Sequence, residues 1–146
     1  MNDIIKIWHE RARPNPTEND LAVQFGCHIE EFIEGLDSVS FAFLEEDAED
    51  YATMMFTLDK LANGLKKGLV QMQIDNRKEF LDSMADQVVT AVGAGHCAKM
   101  NIAEAINRVN KSNWSKYDVD GKPVFNEHGK IAKGPNYAPP DLEGLY

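Results

Sequence analysis

The sequence predicts an all-α fold, a four- to five-helix bundle followed by a short C-terminal hairpin and an extended tail. Two observations predict it. Apolar residues recur at three- and four-residue steps through five successive segments, and turn dipeptides flanked by short β-prone runs appear only after Asn113. With 146 residues and 43% hydrophobic content, the chain is long enough for one domain with a real core. The expected division is a helical domain over 1–116 and a hairpin and tail over 117–146.

The first helix is expected from Asn2 to Arg13, capped by Asn2 or Asp3, with Ile4, Ile5, Ile7 and Trp8 as candidates for burial; Pro14 and Pro16 stop it. Thr17 or Asn19 opens a second helix running from about Asp20 to Leu44, with Glu18 and Asp20 placed where the macrodipole favours acids and Ile29, Phe32, Ile33 and Leu36 as its core stripe. The acidic run from Glu45 to Asp50 reads as a solvated face or a bend between helices. A third helix is expected from Tyr51 to about Val70, its stripe made by Met54, Met55, Leu58, Leu61, Leu65 and Leu69; this face is either core, the commoner use, or a subunit contact.

After a link from Gln71 to Asn76, a fourth helix is expected from Arg77 to Lys99. Leu81, Met84, Ala85, Val88, Val89 and Val92 give it an apolar stripe wide enough to be largely buried, and Gly93 and Gly95 allow a close approach by another backbone. A fifth helix, Ile102 to about Asn110, places Ile102, Ala105, Ile106 and Val109 on one side. Beyond it, Asp120-Gly121 and His128-Gly129 signal turns, the runs Lys116–Val119 and Pro123–Phe125 flank the first as a hairpin, and Pro135, Pro139 and Pro140 mark an extended end.

Charge and composition exclude several classes. A net charge of −9 argues against nucleic acid as a partner, since phosphate backbones need a basic surface, although metal ions can bridge an acidic protein to a nucleotide. Cys27 and Cys97 form no disulfide framework or metal motif and read as reduced core thiols of a cytoplasmic protein. Polar residues Asp3, Lys6 and Glu10 break any leader-like apolar run at the N-terminus, and no segment approaches the length that spans a bilayer. Gly93-Ala-Gly95-His-Cys-Ala98 matches a loose dinucleotide fingerprint, but no strand precedes it.

The chemistry lies in two acidic clusters. Asp82 and Asp86 are one helical turn apart inside the apolar run of the fourth helix, and two carboxylates so placed repel unless something positive lies between them. Glu30, Glu31 and Glu34 stack along the second helix. Carboxylates are hard ligands suited to Mg²⁺ or Mn²⁺, and two such helices facing each other would make a divalent-metal cage. The plainer alternatives are solvated helix faces for the acids, an ordinary boundary histidine or a group behind the metal ligands for His28, and either packing or base stacking for Trp114 and Tyr117. No Glu-x-x-His pair of the di-iron kind occurs, and Asp118, Asp120 and Gly121 fit a turn better than a calcium loop.

The string Glu30-Glu31-Phe32-Ile33-Glu34, followed by Asp82-Ser83-Met84-Ala85-Asp86, resembles the motifs of the all-α nucleoside triphosphate pyrophosphohydrolases, the superfamily of MazG, the dimeric dUTPases and phosphoribosyl-ATP pyrophosphohydrolase. The first motif, Glu-Glu-x-x-Glu, is intact. In the second, Glu-x-x-Asp, Asp86 holds the aspartate position, but Ser83 stands at the glutamate, with Asp82 the nearest acid that could replace it. The stretch Ile106–Lys116, then Asp120-Gly-Lys122, Gly129-Lys130 and Pro135–Leu142, is similar to the C-terminal region of phosphoribosyl-ATP pyrophosphohydrolase-like members, including bacteriophage-encoded ones.

The resemblance implies Mg²⁺ held by Glu31, Glu34, Asp82 and Asp86, with the loss of one metal as the alternative if Asp82 does not substitute. It places Asn110, Asn113 and Lys116 at nucleotide phosphate and sugar; Lys111, Lys116 and Arg108 would stabilise charge on the phosphates, and Glu30 would orient or deprotonate the attacking water. The implied activity is hydrolysis of a nucleoside triphosphate or related nucleotide to the monophosphate and pyrophosphate, by a homodimer or homotetramer. The rival expectation is a non-enzymatic helical interaction module whose acids are solvated and whose methionines meet a partner.

Overall fold

The computed structural model describes residues 2–42 and 45–146, with side chains from 4–42 and 48–146. Among these residues the architecture is all-α, as predicted: α1 (Asn2–Ala12), α2 (Glu18–Asp37), α3 (Glu45–Lys66), α4 (Arg77–Cys97) and α5 (Ile102–Trp114). The side chains of Asn2 and Asp3, expected as caps, and Leu44, expected at the end of the second helix, lie outside the described residues. The chain resolves into two compact units, one made of residues 2–14, Gln73–Val124 and Ile131–Tyr146, the other of Asn15–Met72 and Phe125–Lys130. Tyr117, at the start of the expected tail, packs with Trp8 and Ala12 of α1.

In the unit built around residues 15–72, Thr17 caps α2 through a reciprocal pair of bonds: its hydroxyl accepts from the Asp20 N–H, and the Asp20 carboxylate accepts from the Thr17 N–H. The helix ends at Asp37, earlier than expected, on Ser38, whose N–H donates to the carbonyls of Glu34 and Gly35. The acidic run is not a bend. It forms the first turns of α3, where the macrodipole favours negative charge and no Gly or Pro interrupts the helix.

α2 and α3 pack on Ala22, Val23, Ala62 and Leu65, all buried. Gly26 lets them cross closely: a Cβ there would stand 2.8 Å from the Ala62 carbonyl oxygen and 3.0 Å from Lys66 Cγ. Phe32, expected in the core stripe, is 58% exposed, while Ile29, Ile33 and Leu36 are half-buried. α3 closes with a Schellman motif in which Gly68 (φ +68°) donates to Leu65 and the Leu69 N–H reaches back to Gly64.

In the other unit the core is Trp8, Ala12 and Tyr117, with Trp114 and Ile131 packed against it. Trp8 Nε1 donates to the Asn113 carbonyl at 3.0 Å, and the Tyr117 hydroxyl donates to the Trp8 carbonyl at 2.6 Å. Burial pushes the Tyr117 phenol up, against the opposing pull of Arg11 and Arg13. The alternative left open for Tyr117 therefore resolves to packing, whereas Ile4 and Ile7, expected to be buried with Trp8, are exposed.

α4 departs furthest from expectation. None of its residues is buried; Leu81, Val88 and Val89 are 71%, 51% and 67% exposed. α5 continues one turn beyond Asn110 to Trp114. Neither glycine meets another backbone: Gly95 faces the Ile102 side chain and Gly93 nothing, and Cys97 at the helix end is exposed rather than core.

No regular strand forms around Asp120-Gly121 among the described residues. Instead 118–122 and 126–130 are two turns of one design: Asp118 Oδ1 accepts the N–H groups of Asp120 and Lys122, and Asn126 Oδ1 those of His128 and Lys130. The tail is strapped to α5. Ser112 Oγ donates to the Ala138 carbonyl at 2.7 Å, the Ala138 N–H donates to Ser115 Oγ, and Asn101 N–H donates to the Leu145 carbonyl.

Candidate functional site

The predicted site residues fall into three groups. On α2, Glu31 and Glu34 lie three residues apart, so a helix brings them to one side. Both are exposed, and neither carboxylate makes a hydrogen bond or ion pair among the described residues, although Glu31 bears on Lys130 through space. Glu30 differs from its neighbours. Lys66 Nζ donates to one oxygen of its carboxylate at 2.5 Å and Lys130 Nζ to the other at 2.6 Å. Partial burial of Glu30 disfavours its charge, but the bonds from Lys130 and Lys66 outweigh this and hold the carboxyl below its ordinary value. Lys130 is correspondingly raised, its own burial being outweighed by Glu30 and by the neighbouring Cys27 and Glu31.

On α4, Asp82 and Asp86 are exposed and make no hydrogen bond or ion pair through their carboxylates among the described residues. Asn76 caps this helix by accepting from the Glu79 N–H, which sets the register of both aspartates. Ser83, at the position of the missing glutamate, accepts from Gln87. The interior placement expected for the aspartates is not found, because the apolar stripe beside them is itself exposed.

No family model, curated protein or solved structure matches this chain. The site is therefore judged on its own chemistry. Each acidic pair offers the hard oxygen donors that Mg²⁺ takes, two to a helix. Among the described residues, no three His, Cys, Asp or Glu side chains come together as a metal-holding group. Glu31 and Glu34 belong to one compact unit, Asp82 and Asp86 to the other.

The third group surrounds a cleft of about 520 Å³ beside α5, with Asn107, Arg108, Lys111 and Ser112 on one wall and Ala138, Pro139 and Asp141 of the tail on the other. Of the five residues expected at the nucleotide, Arg108 and Lys111 line it; Asn110, Asn113 and Lys116 do not. Arg108 is already employed. Its Nε donates to Glu104 at 3.0 Å, and Nη1 donates to the carbonyls of Asp141 and Glu143 at 3.0 and 3.3 Å, so it ties the tail to α5. Bonds from Arg108 and then Asn107 keep the Glu104 carboxyl below its ordinary value. Asn113 contributes its backbone carbonyl to Trp8.

Sequence reading missed the two lysines on Glu30. They stand 36 and 100 residues away from it, and only Gly26, a helical glycine where α2 must approach a neighbour, hinted that another element's side chain lay alongside.

Proposed function

We propose that this chain is a Mg²⁺-dependent nucleoside triphosphate pyrophosphohydrolase of the MazG-like and phosphoribosyl-ATP pyrophosphohydrolase-like kind. The observation that carries the reading is the intact Glu30-Glu31-Phe32-Ile33-Glu34 segment on one helix, with Glu31 and Glu34 exposed and uncommitted to ion pairs. Glu31, Glu34, Asp82 and Asp86 would hold Mg²⁺, with Mn²⁺ as a substitute. The ion would neutralise the triphosphate and lower the pKa of bound water. Lys111 offers an exposed ammonium on the cleft wall for a phosphate, and Arg108 orders the tail segment that forms the opposite wall. Asn110, Asn113 and Lys116 are assigned to sugar and phosphate by resemblance. Glu30, ion-paired as it is, is a weak base and acts by position.

The proposed assembly is a homodimer or homotetramer, in the cytoplasm and without nucleic acid. Supporting it, Leu81, Val88 and Val89 of α4 leave an apolar face that a single chain does not cover. No described helix is long and apolar enough to cross a membrane. One observation favours the rival reading, an interaction module without catalysis: all four proposed ligands are exposed, as that reading requires. Assay of pyrophosphate release over a panel of ribo-, deoxy- and modified nucleoside triphosphates and phosphoribosyl-ATP, with Mg²⁺ and with EDTA, decides between them. Metal-dependent release from at least one substrate is expected, and none across the panel overturns the hydrolase.

A further inference from the structure

Two ammonium groups meet on Glu30, and Glu31 also acts on one of them, Lys130. One lysine neutralises a carboxylate; here Lys66 and Lys130 each take one of its oxygens, in a chain whose net charge is −9. The close crossing at Gly26 brings Lys66 alongside α2, one turn from Glu30, and the turn anchored by Asn126 delivers Lys130. The Lys66 side chain is 14% exposed and Lys130 42% exposed, so one ammonium is sheltered while the other stands open to an incoming ligand. Two donors on two oxygens of one anion is the pattern that a phosphate group also satisfies, with more charge and a third oxygen to spare.

We propose that Lys66 and Lys130 form a phosphate-binding site whose place is kept by the Glu30 carboxylate. A phosphate entering from the Lys130 side displaces Glu30 from one or both ammonium groups. The exchange loses least at Lys130, where the pair with Glu30 is partly open to solvent and screened. The site needs neither a metal nor turnover, so it stands or falls apart from the proposed hydrolysis.

The test is calorimetric binding of inorganic pyrophosphate to the full chain in EDTA at low ionic strength, with dUTP as a second ligand. Glu30→Gln removes the internal competitor and should tighten pyrophosphate binding about fivefold or more. Lys130→Ala, on an exposed turn, should weaken it about tenfold, as should Lys66→Gln. Lys122→Ala, the matching lysine of the first turn, removes the same charge elsewhere and should leave binding within about twofold if the site is local. Equal affinity for dUTP assigns the site to free phosphate, and tighter dUTP binding assigns it to a nucleotide. Unchanged or weaker binding in Glu30→Gln overturns the proposal, as does a loss in Lys122→Ala equal to that in Lys130→Ala. Should Lys66→Gln fail to fold, Lys130→Ala and Glu30→Gln still decide.

Discussion

Gly26 of α2 and Ala62 of α3 meet so closely that the glycine has no room for a side chain: a Cβ would lie 2.8 Å from a backbone oxygen that cannot swing aside. Gly26→Ala should therefore destabilise the protein by about 1–3 kcal/mol despite its better helix propensity. Gly35→Ala, on the same helix with nothing near the added methyl, should stabilise by roughly 0.5–1 kcal/mol. Urea melts of the two variants check both; equal behaviour would show that the crossing is looser than described.

The pairing of Glu30 makes a pH prediction. Its carboxyl is depressed in the folded state, so its contribution is present in full above about pH 4.5 and is lost as the pH falls through the lower folded value. Lys130 is raised, so its contribution is present below its ordinary value and is lost only as the pH rises through the raised one. The melting temperature of the parent should exceed that of Glu30→Gln on the neutral plateau, and the gap should close in acid. The stability difference is expected at about 1 kcal/mol or less, because the carboxylate is partly open to water.

Lys99 ends α4 in the left-handed region, at φ 63°, where the Met100 N–H reaches back to the Gly95 carbonyl. That position favours glycine. Lys99→Gly should raise stability by roughly 0.5–1 kcal/mol, the relief of backbone strain exceeding the added freedom of the unfolded chain. Thermal melts read the change, and a loss of stability would mean that the lysine side chain makes a contact worth more than the strain.

Asp86→Asn tests the proposed metal site. It should abolish the Mg²⁺-dependent pyrophosphate release, and the upward shift in melting temperature with Mg²⁺, that are expected of the parent. Because the aspartate is exposed and unpaired among the described residues, the melting temperature without metal should hardly move. Retained turnover would remove Asp86 from the ligand set.

What periodicity could tell was the existence of the helices, because stripes such as Leu58, Leu61 and Leu65 mark one face wherever the chain folds. Their ends were harder to read. α2 stops at Asp37 on a serine cap, and the acids beginning at Glu45 enter a helix rather than a bend, since local charge suits either. The burial of α4 was misjudged for a different reason: an apolar stripe shows that a face seeks cover, not that its own chain supplies it. The two acidic motifs were visible as spacing along single helices. The Lys66–Glu30–Lys130 cluster was not, because it depends on contacts across 36 and 100 positions that no local pattern encodes.

The bonds joining Trp8 to Asn113 and Tyr117 span 105 and 109 positions, and the unit they close is interrupted in sequence by the α2–α3 pair. Trp8 would thus leave the ribosome long before Asn113 and Tyr117, its ring without those partners while the inserted α2–α3 pair, whose contacts are local, assembles ahead of it. Docking of α1 is therefore expected to wait until α5 and Tyr117 have been made.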